Sequence, residues 1–269
     1  MSSPLVSQRD KVQNVRALLD RAKEQIRMAL PRHMSVDRLI RVAVTSVQRT
    51  PKLLDCDQTS LMGAIIQAAQ LGLEPDGVLG HAYLVPYGRE VQLIPGYKGL
   101  VTLARRSGEV SSIDARVVYE GDTFRYAFGL EPKLEHVPAD HGSDAAPVPT
   151  HAYAVIRLKD GGYQFDVMSV REIEAVRRRS KASGSGPWVT DWAEMAKKTV
   201  LRRAMKLAPM SVEGQQAVAL DEMAEAGVSQ SLDHVVDVAT VEPAAIEATA
   251  TPANGLERLT KELKTEVAS

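Results

Sequence analysis

The pattern that most constrains this chain's fold runs from Ala152 to Val167, where side chains alternate on both sides of an Asp160-Gly161 turn. Ala152, Ala154, Ile156 and Leu158 alternate with Tyr153, Val155 and Arg157, and Tyr163, Phe165 and Val167 resume the period. A two-residue period broken by Asp-Gly predicts a β-hairpin. A second hairpin is predicted from Ala82–Tyr87 and Glu90–Ile94, which Gly88 and Arg89 separate. Val110–Tyr119 and Thr123–Phe128 read as further strands, and 132–149, rich in Pro, Asp and Ala, reads as a loop.

Helical periods surround these strands. Val12, Val15, Leu18, Leu19, Ile26 and Leu30 predict one helix over 11–30, closed by Pro31. Ser35 is placed to cap a second helix carrying Leu39, Ile40, Ala43, Val44 and Val47. Thr59 or Ser60 starts a third that Gly72 stops. Tyr97–Arg106 reads as a short basic helix, with Leu100, Leu103 and Ala104 on one face. Ser169 and Glu172 form a capping-box pattern ahead of a helix that carries Arg177, Arg178 and Arg179 toward a Gly-containing loop. A long helix through the tryptophans ends near Pro209, and Glu213–Ala226 reads as another. The weakly apolar 227–255 reads as a flexible linker, and Leu256–Val267 as a small amphipathic helix.

The net charge of −1 conceals two electrical parts. Residues 211–269 hold 11 acidic and 3 basic side chains, which leaves 1–210 with a net of +7. We therefore expect a basic core over 1–210 and an acidic C-terminal region over 211–269. A basic body favours polyanions through counterion release. No apolar run approaches a bilayer span and the N-terminus lacks a signal-peptide segment, so a cytoplasmic location is expected. Cys56 is the only cysteine, which excludes an intramolecular disulfide and a thiolate cluster.

Gly186–Lys206 (GPWVTDWAEMAKKTVLRRAMK) holds both tryptophans and five basic residues. Lys198, Arg202 and Lys206 recur every four residues and on a helix form one basic stripe suited to a phosphate backbone. Trp192, Met195, Ala196 and Thr199 fit a buried helical face. Trp188, after the loop Lys181–Pro187, fits either a core position or a platform for stacking bases.

Several chemistries leave no trace. No GxxxxGK[ST] loop for nucleotide phosphates and no GxSxG elbow occurs. The six histidines lack metal-ligand spacing, and Asp55 and Asp57 read as caps or solvated charge. A metal-dependent nuclease and a non-catalytic assembly protein remain the alternatives to a nucleic-acid binder, since carboxylates distant in sequence can converge on a metal.

Five further blocks occur in order: ALPRHMSVDRLIRVA (29–43), QLGLEPDGVLGHAYLVPYG (70–88), VQLIPGYKGLVTLARRSG (91–108), ARVVYEGDTF (115–124) and HAYAVIRLKDGG (151–162). With GPWVTDWAEMAKKTVLRR (186–203) they resemble the RecT family of phage-type single-strand annealing proteins, which includes the more distant Red-beta branch. The resemblance covers most of residues 25–210. It implies an α+β fold, a small antiparallel sheet with packed helices, distantly Rad52-like. It also implies a protein that coats single-stranded DNA and anneals complementary strands without ATP, as a homo-oligomeric ring or helical filament. No cofactor is required by the sequence, and magnesium stays unassigned.

Annealing demands that phosphate repulsion be neutralised while base edges stay free. The residues expected to do this are Lys198, Arg202, Lys206, Arg177, Arg178, Arg179 and Lys181, with Lys197, Arg203 and Trp188 beside them. Lys98, Arg105, Arg106 and Arg116 lie in blocks matching the family. By the same resemblance, the acidic tail docks a phage exonuclease or the host single-strand binding protein.

Overall fold

The structure, a computed structural model, describes residues 7–140 and 147–236. Helices α1 (Gln8–Arg21), α2 (Lys23–Ala29) and α3 (Val36–Arg49) open the chain. The helix expected over 11–30 is thus two helices, broken at Ala22 (φ −81°, ψ 5°). The apolar period lapses between Leu19 and Ile26, and the break lets both side chains reach the core. A 3-10 turn over Pro51–Asp55 leads to α4 (Gln58–Leu71). Its cap is Asp57, whose carboxylate accepts from the Thr59 and Ser60 amides. Gly72 ends it in the left-handed conformation (φ 62°), as its sequence position suggests. Every residue from Leu61 to Ala69 is buried, so α4 is the central helix.

Strands β1 (Ala82–Tyr87) and β2 (Glu90–Pro95) form the first antiparallel hairpin, and α5 (Tyr97–Arg106) follows. Next come β3 (Val110–Tyr119), β4 (Thr123–Ala127), β5 (Lys133–Val137), β6 (Pro149–Leu158) and β7 (Tyr163–Ser169). The Asp-Gly hairpin appears as β6–β7, with Gly161 at φ 91° and Arg157 opposite Tyr163. β6 also pairs with β3, giving the order β3-β6-β7. Strand β5 lies where a loop was expected. It pairs with β4 and turns Leu134 inward, with His136, against Phe124 and Tyr153. The described residues therefore form an α+β fold with three small antiparallel sheets.

The three-stranded sheet buries Ala115, Val117, Ala152, Ala154, Ile156 and Met168 in the main core. Its other face carries Val118, Tyr153 and Val167 beneath the β4–β5 hairpin. After β7 come α6 (Val170–Arg179), the single turn α7 (Pro187–Thr190), α8 (Trp192–Met205) and α9 (Val212–Ala226). The expected domain boundary at 210/211 does not coincide with a break in packing. Ala217, Val218 and Leu220 of α9 are part of the main core. Nor is the start of the expected linker loose. The Gln230 side-chain amide accepts from Leu93 N (2.9 Å) and donates to Leu93 O (2.9 Å), as a neighbouring strand would. Leu232 and Val236 are buried beside it, where Gly63 has no side chain to obstruct the Leu232 carbonyl. The rest of the expected linker and the helix over 256–267 lie outside the described residues.

Candidate nucleic-acid interface

Helix α8 does not present an open basic stripe. Lys198 Nζ lies 2.5 Å from Asp221 Oδ1, and Arg202 Nη1 lies 2.8 Å from Asp221 Oδ2. Arg202 also pairs with Glu225, and Lys206 Nζ sits 2.6 Å from Glu222. The three cations thus meet three carboxylates of α9. Arg202 is only 8% exposed. Burial pulls its pKa down, but Asp221 and Glu225 outweigh that and hold it above its ordinary value. Burial pushes the Glu225 carboxyl up, and Arg202 offsets this only in part. Such a seam is costly to break from one side, because the abandoned charge stays buried.

Other expected contacts are also engaged within the fold. Arg203 grips Asp166 with two nitrogens (2.5 and 2.6 Å) and reaches Glu172 (3.3 Å), tying α8 to β7 and α6. Lys197 pairs with Glu194, and Arg116 with Asp114 (3.0 Å). Arg106 donates to the carbonyls of Leu71 (3.1 Å) and Gly72 (3.0 Å), closing the C-terminus of α4. Burial lowers its pKa. Trp188 is 2% exposed and belongs to the core, so of its two readings the structure takes the buried one. The half-buried Trp192 donates its indole N–H to Glu174 (2.6 Å).

Five of the expected residues remain available. Arg178 and Arg179 end α6, exposed and without an ion pair among the described residues. Lys181 follows, its Nζ 4.6 Å from the centre of the Tyr87 ring at the β1–β2 turn. Lys98 and Arg105, on α5, are likewise exposed and without an ion pair among the described residues. The loop after α6 is held by Arg177, which donates to Ser183 O (2.9 Å) and pairs with Glu174 (3.4 Å). The capping box expected from the sequence anchors the other end of α6, Ser169 N donating to Glu172 (2.8 Å) and Glu172 N to Ser169 Oγ (3.3 Å).

Sequence reasoning missed Tyr87 and Arg89. The exposed Arg89 stands in the β1–β2 turn without an ion pair among the described residues. The only local sign was a Tyr-Gly-Arg turn; its approach to the α6 loop is a tertiary fact. Tyr87, Arg89, Arg178, Arg179 and Lys181 thus combine an aromatic ring with cations that no carboxylate among the described residues pairs with, which is the chemistry of a polyanion contact.

The sequence model of the RecT family matches residues 37–235, from the start of α3 to the end of the packed segment after α9. The chain belongs to the RecT family. It is 54% identical over 208 residues to Protein RecT of Escherichia coli (strain K12), covering 74% of this chain and 76% of that relative. It is 30% identical over 178 residues to the uncharacterized protein YqaK of Bacillus subtilis (strain 168), covering 65% of this chain and 61% of that one. Membership places the chain among recombination proteins. Among the described residues no group of three or more His, Cys, Asp or Glu side chains is gathered as metal ligands. No described helix is long and apolar enough to cross a membrane.

Proposed function

We propose that this RecT-family protein anneals complementary DNA strands during homologous recombination, binding single-stranded DNA and the annealed duplex without ATP. The observation that carries the reading to particular residues is the cationic surface of Arg178, Arg179 and Lys181 beside Tyr87 and Arg89, which makes no ion pair among the described residues. Each base-pair step gains about 1.4 kcal/mol from stacking, so pairing runs downhill once repulsion between backbones is relieved. The absence of a phosphate-cradling loop from the sequence fits a process that needs no fuel. Lys98 and Arg105, exposed on α5, offer further cations to the strand. Lys198, Arg202, Lys206 and Arg203 act indirectly, by fixing α8 against α9 and β7.

A single copy covers few phosphates, so homo-oligomeric assembly along the strand supplies the avidity. In this reading the fold is distantly Rad52-like, the protein works in the cytoplasm, and the region beyond the packed core docks an exonuclease or a single-strand binding protein.

The test mixes complementary labelled oligonucleotides without nucleotide and follows pairing. Pairing is accelerated, and the strands keep their length when magnesium is added. Changing Arg178, Arg179 and Lys181 together to Glu lowers single-strand affinity and reduces the slope of log K against log salt by about 2, at roughly 0.7 for each phosphate no longer neutralised. Shortened strands convert the reading to a nuclease, and unchanged affinity and slope remove this surface from it.

A further inference from the structure

The β4–β5 hairpin ends in an apolar knob that one copy of the chain does not use. Leu130 is 104% exposed and Phe128 58%. The loop carrying them is nonetheless fixed. Phe128 stacks on Phe165 with ring centres 5.3 Å apart and planes 23° from parallel, and Tyr163 donates its hydroxyl to Pro132 O (2.8 Å). Gly129 turns the chain at φ 130°, a conformation that a side chain would oppose. A rigid, exposed apolar tip marks an interaction surface. Its charges balance, Arg125 and Lys133 against Glu131 and Glu135, so no net positive field draws a polynucleotide there. The surface suits protein rather than DNA.

A hollow lies between α3 and the segment of Asp76 and Val78. This groove of about 290 Å³ is lined by Val42, Val78, Thr45 and Asp76 together with Arg38, Arg41 and Arg49 of α3, and Val78 is 68% exposed. Arg38 Nη2 is held by Glu74 (2.9 Å), and Arg49 donates to Asp76 O (3.2 Å), which keeps two guanidiniums in place. Arg41 is exposed and makes no ion pair among the described residues.

We propose that copies of this chain join head to tail, with Leu130 of one seated on Val42 and Val78 of the next and its Glu131 paired with Arg41. Leu130 meets the two valines of the groove, and a carboxylate without an ion pair among the described residues meets a guanidinium without one. Because knob and groove are different surfaces, the contact is heterologous and closes a ring or extends a filament. The proposal rests on the reading of the protein as an assembling DNA-coating factor, and it names the surface that assembles.

Leu130→Asp disables the knob, and Arg41→Glu the groove. Both change exposed side chains, and circular dichroism checks that each variant is folded. Sedimentation, with and without a long oligonucleotide, shows wild-type assemblies and leaves each variant monomeric. An equimolar mixture of the two gives dimers, because the intact groove of the first accepts the intact knob of the second. Glu131→Arg combined with Arg41→Glu restores the assembly that either change alone removes. Wild-type assembly by either single variant, a mixture that stays monomeric, or a wild type that never assembles overturns the proposal. Affinity for an oligonucleotide too short for two copies stays within twofold in both variants; its absence from the wild type sinks the DNA reading and leaves the interface standing. A tenfold loss confined to Leu130→Asp, with assembly unchanged, makes the knob a base platform and overturns the interface.

Discussion

Replacing Arg202 with Ala separates a structural seam from a DNA contact. In the native fold this guanidinium lies almost entirely out of water between Asp221 (2.8 Å) and Glu225, with Lys198 on the other Asp221 oxygen (2.5 Å). Truncation leaves two carboxylates, one of them already strained by burial, with one lysine between them. Removing one partner of a buried pair costs about 3–5 kcal/mol. Unfolding entropy near 2.1 cal/mol/K per residue over the roughly 220 described residues makes each kcal/mol worth about 2 °C, so the expected fall in Tm is about 6–10 °C. Differential scanning calorimetry reads this directly. Arg178→Ala is the control, since replacing an exposed cation that makes no ion pair among the described residues stays within about 0.5 kcal/mol. Single-strand affinity measured well below the lowered Tm is unaffected by Arg202→Ala. If Arg202→Ala melted within 2 °C of wild type yet bound DNA tenfold more weakly, the seam would be a phosphate site and its structural role would be refuted.

Gly63→Ala puts a Cβ 2.1 Å from the Leu232 carbonyl oxygen, which the backbone cannot tolerate without moving the packed segment that follows α9. Overpacking of this kind costs about 1–3 kcal/mol, and limited proteolysis shows faster cleavage between 228 and 236 in the variant. The pH dependence has two limbs. Hydrogen bonds from Ser169, with Arg203 adding to them, hold the Glu172 carboxyl below its ordinary value, so the unfolded chain takes up protons first as pH falls. Stability from this group is present above the usual carboxylate range and lost as pH drops through the lowered value. Glu225 has the opposite sign: its raised value makes the folded state the better proton binder, so its contribution declines as pH rises out of the carboxylate range. Urea denaturation of Glu172→Gln between acid and neutral pH therefore shows a shallower acid limb than wild type, and an unchanged limb rejects the assignment.

The parts of the fold that were legible in the sequence are those whose cause is local. The β6–β7 hairpin announces itself because Asp160-Gly161 and the alternation around it specify turn and register within sixteen residues. Ser169 and Glu172 meet across three positions, so the start of α6 could be read at sight. Strand β5 could not, because Lys133, Glu135 and His136 give KLEHV a loop-like composition until Phe124 and Tyr153 supply the surface that its inner side chains cover. Gln230 belongs to a stretch whose small and polar residues suggest a linker, yet its amide completes the edge of β2. The candidate site divides in the same way. A basic stripe at four-residue spacing is correctly placed on one face of α8, but spacing within one helix is blind to Asp221, Glu222 and Glu225 on another.

That blindness has a physical consequence for how this basic helix works. A cation that touches a buried carboxylate is largely protected from salt, whereas an exposed one is screened over about 10 Å at 0.1 M. The seam of Lys198, Arg202 and Lys206 grades from buried to half-open, with Lys206 and Glu222 at its exposed end. Arg178, Arg179 and Lys181 lie outside it altogether. In the proposed reading, salt that strips DNA from the second group leaves the core of the first intact, so folding and DNA release would be governed by different cations. An annealing protein of the proposed kind, which must grip a strand firmly enough to align it and let go once the duplex has formed, would gain from that division. Its grip can weaken without loosening the helix that supports it.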